Sequence, residues 1–175
     1  MLAVSQQKDR AAFAELMKRW KQPLLNYYYR QGQDIEVCEE LLQELFVKIW
    51  KTRRYRVQAK FSTWVYRVAH HLLVDHWRKQ GRRPRCAPEE LSSEVQANAC
   101  SIEEQTLQNE RQQQLYEALN KLSDHHRQVI ILSKFQQLKY SEIGEIMGWR
   151  ENNVKVQVFR ALKQLKTHLG AADDA

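Results

Sequence analysis

Tyr140-Ser-Glu-Ile-Gly-Glu-Ile-Met-Gly-Trp-Arg-Glu-Asn-Asn-Val-Lys-Val-Gln-Val-Phe-Arg-Ala-Leu-Lys-Gln-Leu165 reads as two helices joined by a tight turn. Ser141 is placed to cap the first helix, and Ile143, Ile146 and Met147 give it one apolar face. Gly148 stands where that helix must stop, because glycine enters the left-handed cap region without a Cβ penalty. Val154, Val158, Leu162, Leu165 and Leu169 recur at three- and four-residue steps down the second helix. Gly144 lies inside the first helix, where glycine costs about 1 kcal/mol against alanine, so its use is a close approach of the partner backbone. A small residue four before the turn glycine and an apolar residue six after it is the spacing of a helix-turn-helix. Arg150, Asn153, Lys155, Gln157, Arg160 and Lys163 occupy the other faces of the second helix, and such side chains bond base edges and phosphates in a major groove. An antiparallel helix pair with a solvated basic face would carry the same pattern.

Charge is distributed in blocks around this motif. The net charge is +7 over 175 residues, which suits a polyanionic partner. Residues 1–84 carry 17 Lys and Arg against 8 Asp and Glu, residues 85–108 carry 1 against 5, and residues 109–175 carry 10 against 8. Two basic blocks are therefore joined by an acidic one. No apolar run approaches the roughly 18 residues of a membrane span, and the N-terminus lacks a signal-peptide core, so a cytoplasmic location is expected. The three cysteines match no zinc spacing: Cys38 reads as helix packing, Cys86 and Cys100 as linker residues.

Outward from the motif the periodic segments are all helical. A first helix is predicted from about Asp9 to Arg30, with Phe13, Leu16, Met17 and Trp20 on one face and Pro23 kinking or dividing it. Asp34 caps a second helix to about Lys51, whose face is Val37, Leu41, Leu45, Phe46 and Ile49. Ser62 caps a third, with Trp64, Val65, Val68, Ala69, Leu72 and Leu73 inward, stopping near Gly81. Periodicity fails from Arg82 to Ala99, where Pro84, Pro88, Ser92, Ser93 and several glutamates mark a linker. Ser101-Ile-Glu-Glu104 is a capping box that restarts helix, with Leu107, Leu115, Leu119 and Leu122 as the stripe. Ser123 caps a further helix containing Val129, Ile130 and Leu132. The predicted fold is all-α: an N-terminal helical domain over 1–83, a flexible acidic linker over 84–104, and a C-terminal helix-turn-helix domain over 105–172.

Tyr55 to Arg83 interleaves aromatic rings with cations, a composition that suits single-stranded DNA, because a base stacks on a ring while Lys or Arg holds its phosphate. Trp64 and Trp77 read as core residues, and Tyr55 and Phe61 at the loop edge as the better base platforms. His70, His71 and His76 share that helix, but a five-residue separation puts His71 and His76 about 140° apart around it, a poor metal geometry. No glycine-rich phosphate loop and no nucleophile–base arrangement is legible.

Taken in order, these segments resemble the extracytoplasmic-function sigma factors, the two-domain initiation subunits of bacterial RNA polymerase. Glu40-Leu-Leu-Gln-Glu-Leu-Phe-Val-Lys-Ile-Trp50 is similar to the family's Asp-Leu-x-Gln-Glu-x-Phe-x-x-x-Trp helix, and Phe61-Ser-Thr-Trp-Val-Tyr-Arg-Val-Ala69 to its Phe-x-Thr-Trp-Leu-Tyr-Arg-Ile-Ala segment. Leu122-Ser-Asp-His-His-Arg-Gln-Val-Ile130 and the helix-turn-helix resemble its C-terminal domain.

The resemblance implies roles. Glu40, Gln43, Glu44 and Phe46 would dock on core polymerase. Tyr55, Lys60, Phe61, His71 and Asp75 would lie where the family captures an unpaired base of the −10 element, and Arg78, Lys79, Arg82 and Arg83 would hold phosphates nearby. Arg150, Asn153, Lys155, Gln157, Arg160 and Lys163 would read the −35 duplex. The acidic linker would thread the polymerase's RNA path. The implied partners are core RNA polymerase, promoter DNA and an anti-sigma factor, which could hold the chain at the inner membrane and impose a packed arrangement of the two domains that hides both DNA surfaces. No cofactor, metal, small-molecule substrate or enzymatic chemistry is implied. His71 stands where asparagine is common, and Val156-Gln157 replaces a common Ser-Arg, which leaves the −35 sequence open. The rival reading is a conventional helix-turn-helix regulator acting without core polymerase.

Overall fold

Asp9 opens the first helix by accepting the amide N–H groups of Ala11 and Ala12 at 2.8 and 3.0 Å. The computed structural model describes residues 1, 4, 9–52, 55, 60–81 and 102–173, the side chains of 102–110 and 171–173 excepted. Among these residues seven α-helices follow in order: α1 (Arg10–Arg30), α2 (Ile35–Lys51), α3 (Phe61–Lys79), α4 (Ile102–Asn120), α5 (Asp124–Ile130), α6 (Tyr140–Met147) and α7 (Glu151–Asp173). Among the described residues there is no strand. Pro23 does not divide helix α1, the second of the two expected outcomes: one lost hydrogen bond is outweighed by the burial of Leu24, Tyr27 and Tyr28 just beyond it. Met17, expected inward, is exposed. Asp34 caps α2 as expected, through Val37 N–H at 2.8 Å.

The serine caps differ from expectation. Helix α3 starts at Phe61 with Lys60 at its cap position, and α6 starts at Tyr140 with Lys139 there, so Ser62 and Ser141 lie inside the helices. At α6 the missing cap is replaced from within, as Glu142 Oε2 accepts the Lys139 N–H at 2.8 Å. Ser123 does occupy the α5 cap position but makes no side-chain cap bond. Ser101, Cys86 and Cys100 lie outside the described residues. Helix α5 passes into one wide π turn over Ile131–Phe135, closed by Gln136 N–H to Ile131 O at 3.0 Å.

The two helical units pack against each other through α3 and α6, and their buried residues form one contiguous cluster. Among the described residues these polar or aromatic links cross the seam: Tyr66 hydroxyl donates to Gln136 Oε1, Lys60 Nζ pairs with Glu142 Oε1 at 3.3 Å, the Arg30 guanidinium lies 4.5 Å over the Phe135 ring, and Tyr29 meets Tyr116 edge-on at 5.2 Å. Another is buried: Arg127 Nη1 donates to Gln31 O at 2.9 Å.

His70 sits in this region with little exposure. Burial, aided by the neighbouring His71 and His125, pushes its pKa down to about 4, against 6.5 for a free histidine. Below pH 6.5 the unfolded chain takes up the proton first, so stability present above pH 6.5 is lost as pH falls toward 4. The shift corresponds to about 3 kcal/mol in full. Urea unfolding at pH 7.5 and 4.5 should therefore show a chain about 2 to 3 kcal/mol weaker in acid. His70→Leu should flatten the slope in that window; an unaltered slope would show that His70 is not the group responsible.

Candidate nucleic-acid and partner interface

On α2 the apolar stripe Leu41, Leu42, Leu45, Phe46 and Ile49 turns inward, which leaves Glu36, Glu40, Gln43, Glu44 and Val47 on one outer face at three- and four-residue steps. Glu40, Gln43 and Glu44 are exposed as expected. Phe46 is not: it is 5 % exposed and meets Phe13 edge-on at 6.3 Å, so it supports the face from beneath. Val47, which the sequence reading passed over, takes its place outside, 48 % exposed among carboxylates. An acidic ridge with one apolar side chain suits a basic partner surface.

The α3 region is divided. Tyr55 is buried, edge-on to Trp64 at 5.3 Å and near Phe61 at 6.2 Å, so it is no open base platform in this arrangement. Phe61 is half-buried, with Trp20 at 5.2 Å. Trp64 and Trp77 are packed against the core, as expected. His71, Arg78 and Lys79 are exposed, Asp75 is half-buried, and Arg78 pairs with Asp75 at 3.2 Å. Arg67, missed in the sequence, is exposed one turn before His71 on the same face. Arg82 and Arg83 lie outside the described residues.

Lys60 is the residue the seam engages. Its partner Glu142 is raised by burial, yet the Lys139 N–H and the Lys60 ammonium, with help from the Thr63 hydroxyl, hold the carboxyl below the usual range. The Glu142 carboxylate thus occupies a cation otherwise free to hold a phosphate. The two halves pack together through α3 and α6, and the outer face of α7 remains open.

The helix-turn-helix is built as its glycines predict. Gly148 adopts φ 70°, and Trp149 N–H reaches Gly144 O at 2.9 Å. A Cβ on Gly144 would lie 2.6 Å from Trp149 O, so the close approach is to the turn that leads into α7. Val154, Val158, Ala161 and Leu165 are buried, with Leu162 and Leu169 partly so. Arg150, Asn153, Lys155, Arg160 and Lys163 are exposed, with Lys155 paired to Glu151 at 3.4 Å. Gln157 turns toward α5: its Oε1 lies 3.1 Å from His126 Nε2, and its Nε2 donates to Asn153 Oδ1 at 3.3 Å. The side chains that do face outward include Asn152, Val156 and Phe159; of these the sequence marks only Val156, as a departure from the family pattern. Among the described residues no helix is long and apolar enough to cross a membrane.

Comparison with known proteins divides along the same lines. Residues 16–83 match the family model for sigma-70 region 2, and residues 112–165 match that for sigma-70, region 4. RNA polymerase sigma factor YlaC of Bacillus subtilis (strain 168) is 29% identical over 163 residues, covering 93% of this chain and 94% of that protein. ECF RNA polymerase sigma factor SigW of the same organism is 28% identical over 171 residues, covering 92% and 90%. The fold is shared with the sigma factor RpoE from Bartonella quintana, solved in complex with the anti-sigma factor NepR, at a TM-score of 0.73 and 19% identity over 91% of this chain and 97% of that one.

Proposed function

This chain belongs to the extracytoplasmic-function sigma factors of RNA polymerase, and we propose from that premise which of its surfaces meets each partner. It is an initiation subunit, directing core polymerase to promoters. The observation that carries the reading is the order of the two family matches, region 2 over α1–α3 and then region 4 over α4–α7, in relatives matched along nearly their whole length. A conventional helix-turn-helix regulator finds no support, and the region 2 match counts against it.

Residues 1–83 would bind core polymerase and the −10 element, 84–104 would connect, and 105–172 would bind the −35 element. Glu40, Gln43 and Glu44 dock on core polymerase, helped by exposed Val47, which supports the acidic ridge of α2 as the docking face. Lys60, His71, Arg78 and Lys79 track the melted −10 strand, with Arg67 beside them. Arg150, Lys155, Arg160 and Lys163 hold phosphates of the −35 duplex. The chain carries no chemistry of its own in this reading: polymerase supplies catalysis, and two weak contacts on one tether act as one specific contact. Lys60 must leave Glu142 before it meets DNA, so the halves separate on the polymerase. A partner that holds the seam closed acts as an anti-sigma factor, and the reading places the chain in the cytoplasm.

Gln43→Ala combined with Glu44→Arg tests the docking face. Among the described residues Glu44 pairs with exposed Lys48 at 3.5 Å, a contact of little worth to stability. The double variant should melt within a degree or two of wild type yet bind core polymerase at least about tenfold more weakly, since reversing a charge across an interface costs several kcal/mol. Equal affinity for core would remove this face from the docking surface.

A further inference from the structure

Outward-facing Val156 and Phe159 are the unusual feature of α7. Phe159 is 72 % exposed, the largest exposure among the big apolar side chains described, and Val156 is 45 % exposed. At about 100° per residue, Asn152, Val156, Phe159 and Lys163 fall within an arc of about 60° directly opposite the buried stripe Val154, Val158, Ala161 and Leu165. That arc is the part of the helix that goes deepest into a groove. The polar side chains beside it point elsewhere, because Gln157 and Asn153 bond each other and Gln157 also meets His126.

Resting on the −35 role proposed above, we infer that Val156 and Phe159 read thymine methyl groups in the major groove, so that this chain's −35 element carries A·T pairs where the two side chains enter. Three observations favour this occupant. Exposed Lys155, Arg160, Lys163 and Lys166 surround the pair, and the one acid of the first turn, Glu151, is neutralised by Lys155. That field attracts phosphate. The apolar patch is one helical turn long, ended by Asn152 on one side and Lys163 on the other. A partner helix needs apolar anchors across several turns, whereas a thymine methyl needs a single side chain. Neither valine nor phenylalanine can hydrogen-bond guanine, while the Asn152 amide can pair with the N6 and N7 of adenine. The chain thus replaces hydrogen-bonded readout with methyl readout at these positions.

The test uses the full chain assembled with core polymerase. Promoter fragments with a randomised −35 region are selected for occupancy, and the best fragment is remade with deoxyuridine for every −35 thymidine, a change that deletes only methyl groups. Enrichment of thymine, with occupancy falling about fourfold for each methyl contacted, is the expected result. Phe159→Ala and Val156→Ser should bind more weakly and lose that deoxyuridine sensitivity; both side chains are exposed, so folding is preserved. Deoxyuridine that leaves wild-type occupancy unchanged, or variants with undiminished sensitivity, would overturn the inference while leaving the −35 role intact. Failure of the selection to enrich any −35 sequence would instead overturn the −35 role, and the inference with it.

Discussion

Gly144→Ala should destabilise the helix-turn-helix rather than stabilise it. Alanine is the better helix former by about 1 kcal/mol, so on propensity alone the change would raise stability. The added Cβ would stand 2.6 Å from the carbonyl oxygen of Trp149, a residue whose backbone is held in place by the hydrogen bond its N–H donates to Gly144 O. Neither side can yield without opening the turn that sets α7 against α6. Overpacking at such a contact costs about 2 to 3 kcal/mol net, which lowers the melting temperature by about 5 to 10 °C in a chain of this size. Recognition of the −35 element should fall further than stability, because even a small rotation of α7 moves Val156 and Phe159 off their bases. A thermal melt beside a promoter-binding titration decides it. A stabilised Gly144→Ala protein would mean that the close approach is not essential.

Arg127→Met is the second large effect expected. Arg127 is 3 % exposed, and its guanidinium ends three hydrogen bonds on carbonyls: Leu119 O at 2.8 Å, Asn120 O at 2.8 Å and Gln31 O at 2.9 Å. The first two belong to the last turn of α4 and the third to the C-cap of α1. One cation thus closes the negative ends of two helix dipoles, one in each half of the molecule. Methionine keeps most of the volume but removes all three bonds, leaving Leu119 O with only the Leu122 N–H and Gln31 O with only a long bond from the Gln33 side-chain amide, and the loss should be about 3 kcal/mol. Lysine should rescue little, since a single ammonium cannot reproduce the planar fork. Beyond stability, Arg127→Met should loosen the seam, read as a longer distance between fluorophores on α2 and α7. An unchanged distance together with an unchanged urea midpoint would show that the clamp is dispensable.

What was legible in the sequence was periodic or local. Asp34, Gly148 and the Val154–Val158–Leu165 stripe fixed helix limits and faces, because capping and burial act within a few residues. Phe46 was assigned both to the apolar face of its helix and to a docking role, and burial resolved the conflict in favour of the first. Residue type marks four serines as caps; of the three that are described, Ser62 and Ser141 lie inside helices whose cap positions fall two residues earlier, and at α6 a glutamate within the helix does the capping. Gln157 was assigned to DNA from its chemistry, but its direction depends on His126, thirty-one residues away. No pattern in the chain could have paired Arg127 with Gln31 or Lys60 with Glu142, since such contacts arise only once the two helical units meet. Val156 and Phe159 were legible in principle: they lie opposite the buried stripe, and helix geometry alone puts them outside.

Run-off transcription tests the central claim most directly. Purified core polymerase, with and without this chain, is given a fragmented library of the host genome and the new transcripts are mapped. New start sites downstream of a shared two-part motif, dependent on the chain and lost with Gln43→Ala/Glu44→Arg, are the predicted result. Absence of any new start site, with core binding demonstrated, would contradict the assignment of this chain as a working initiation subunit.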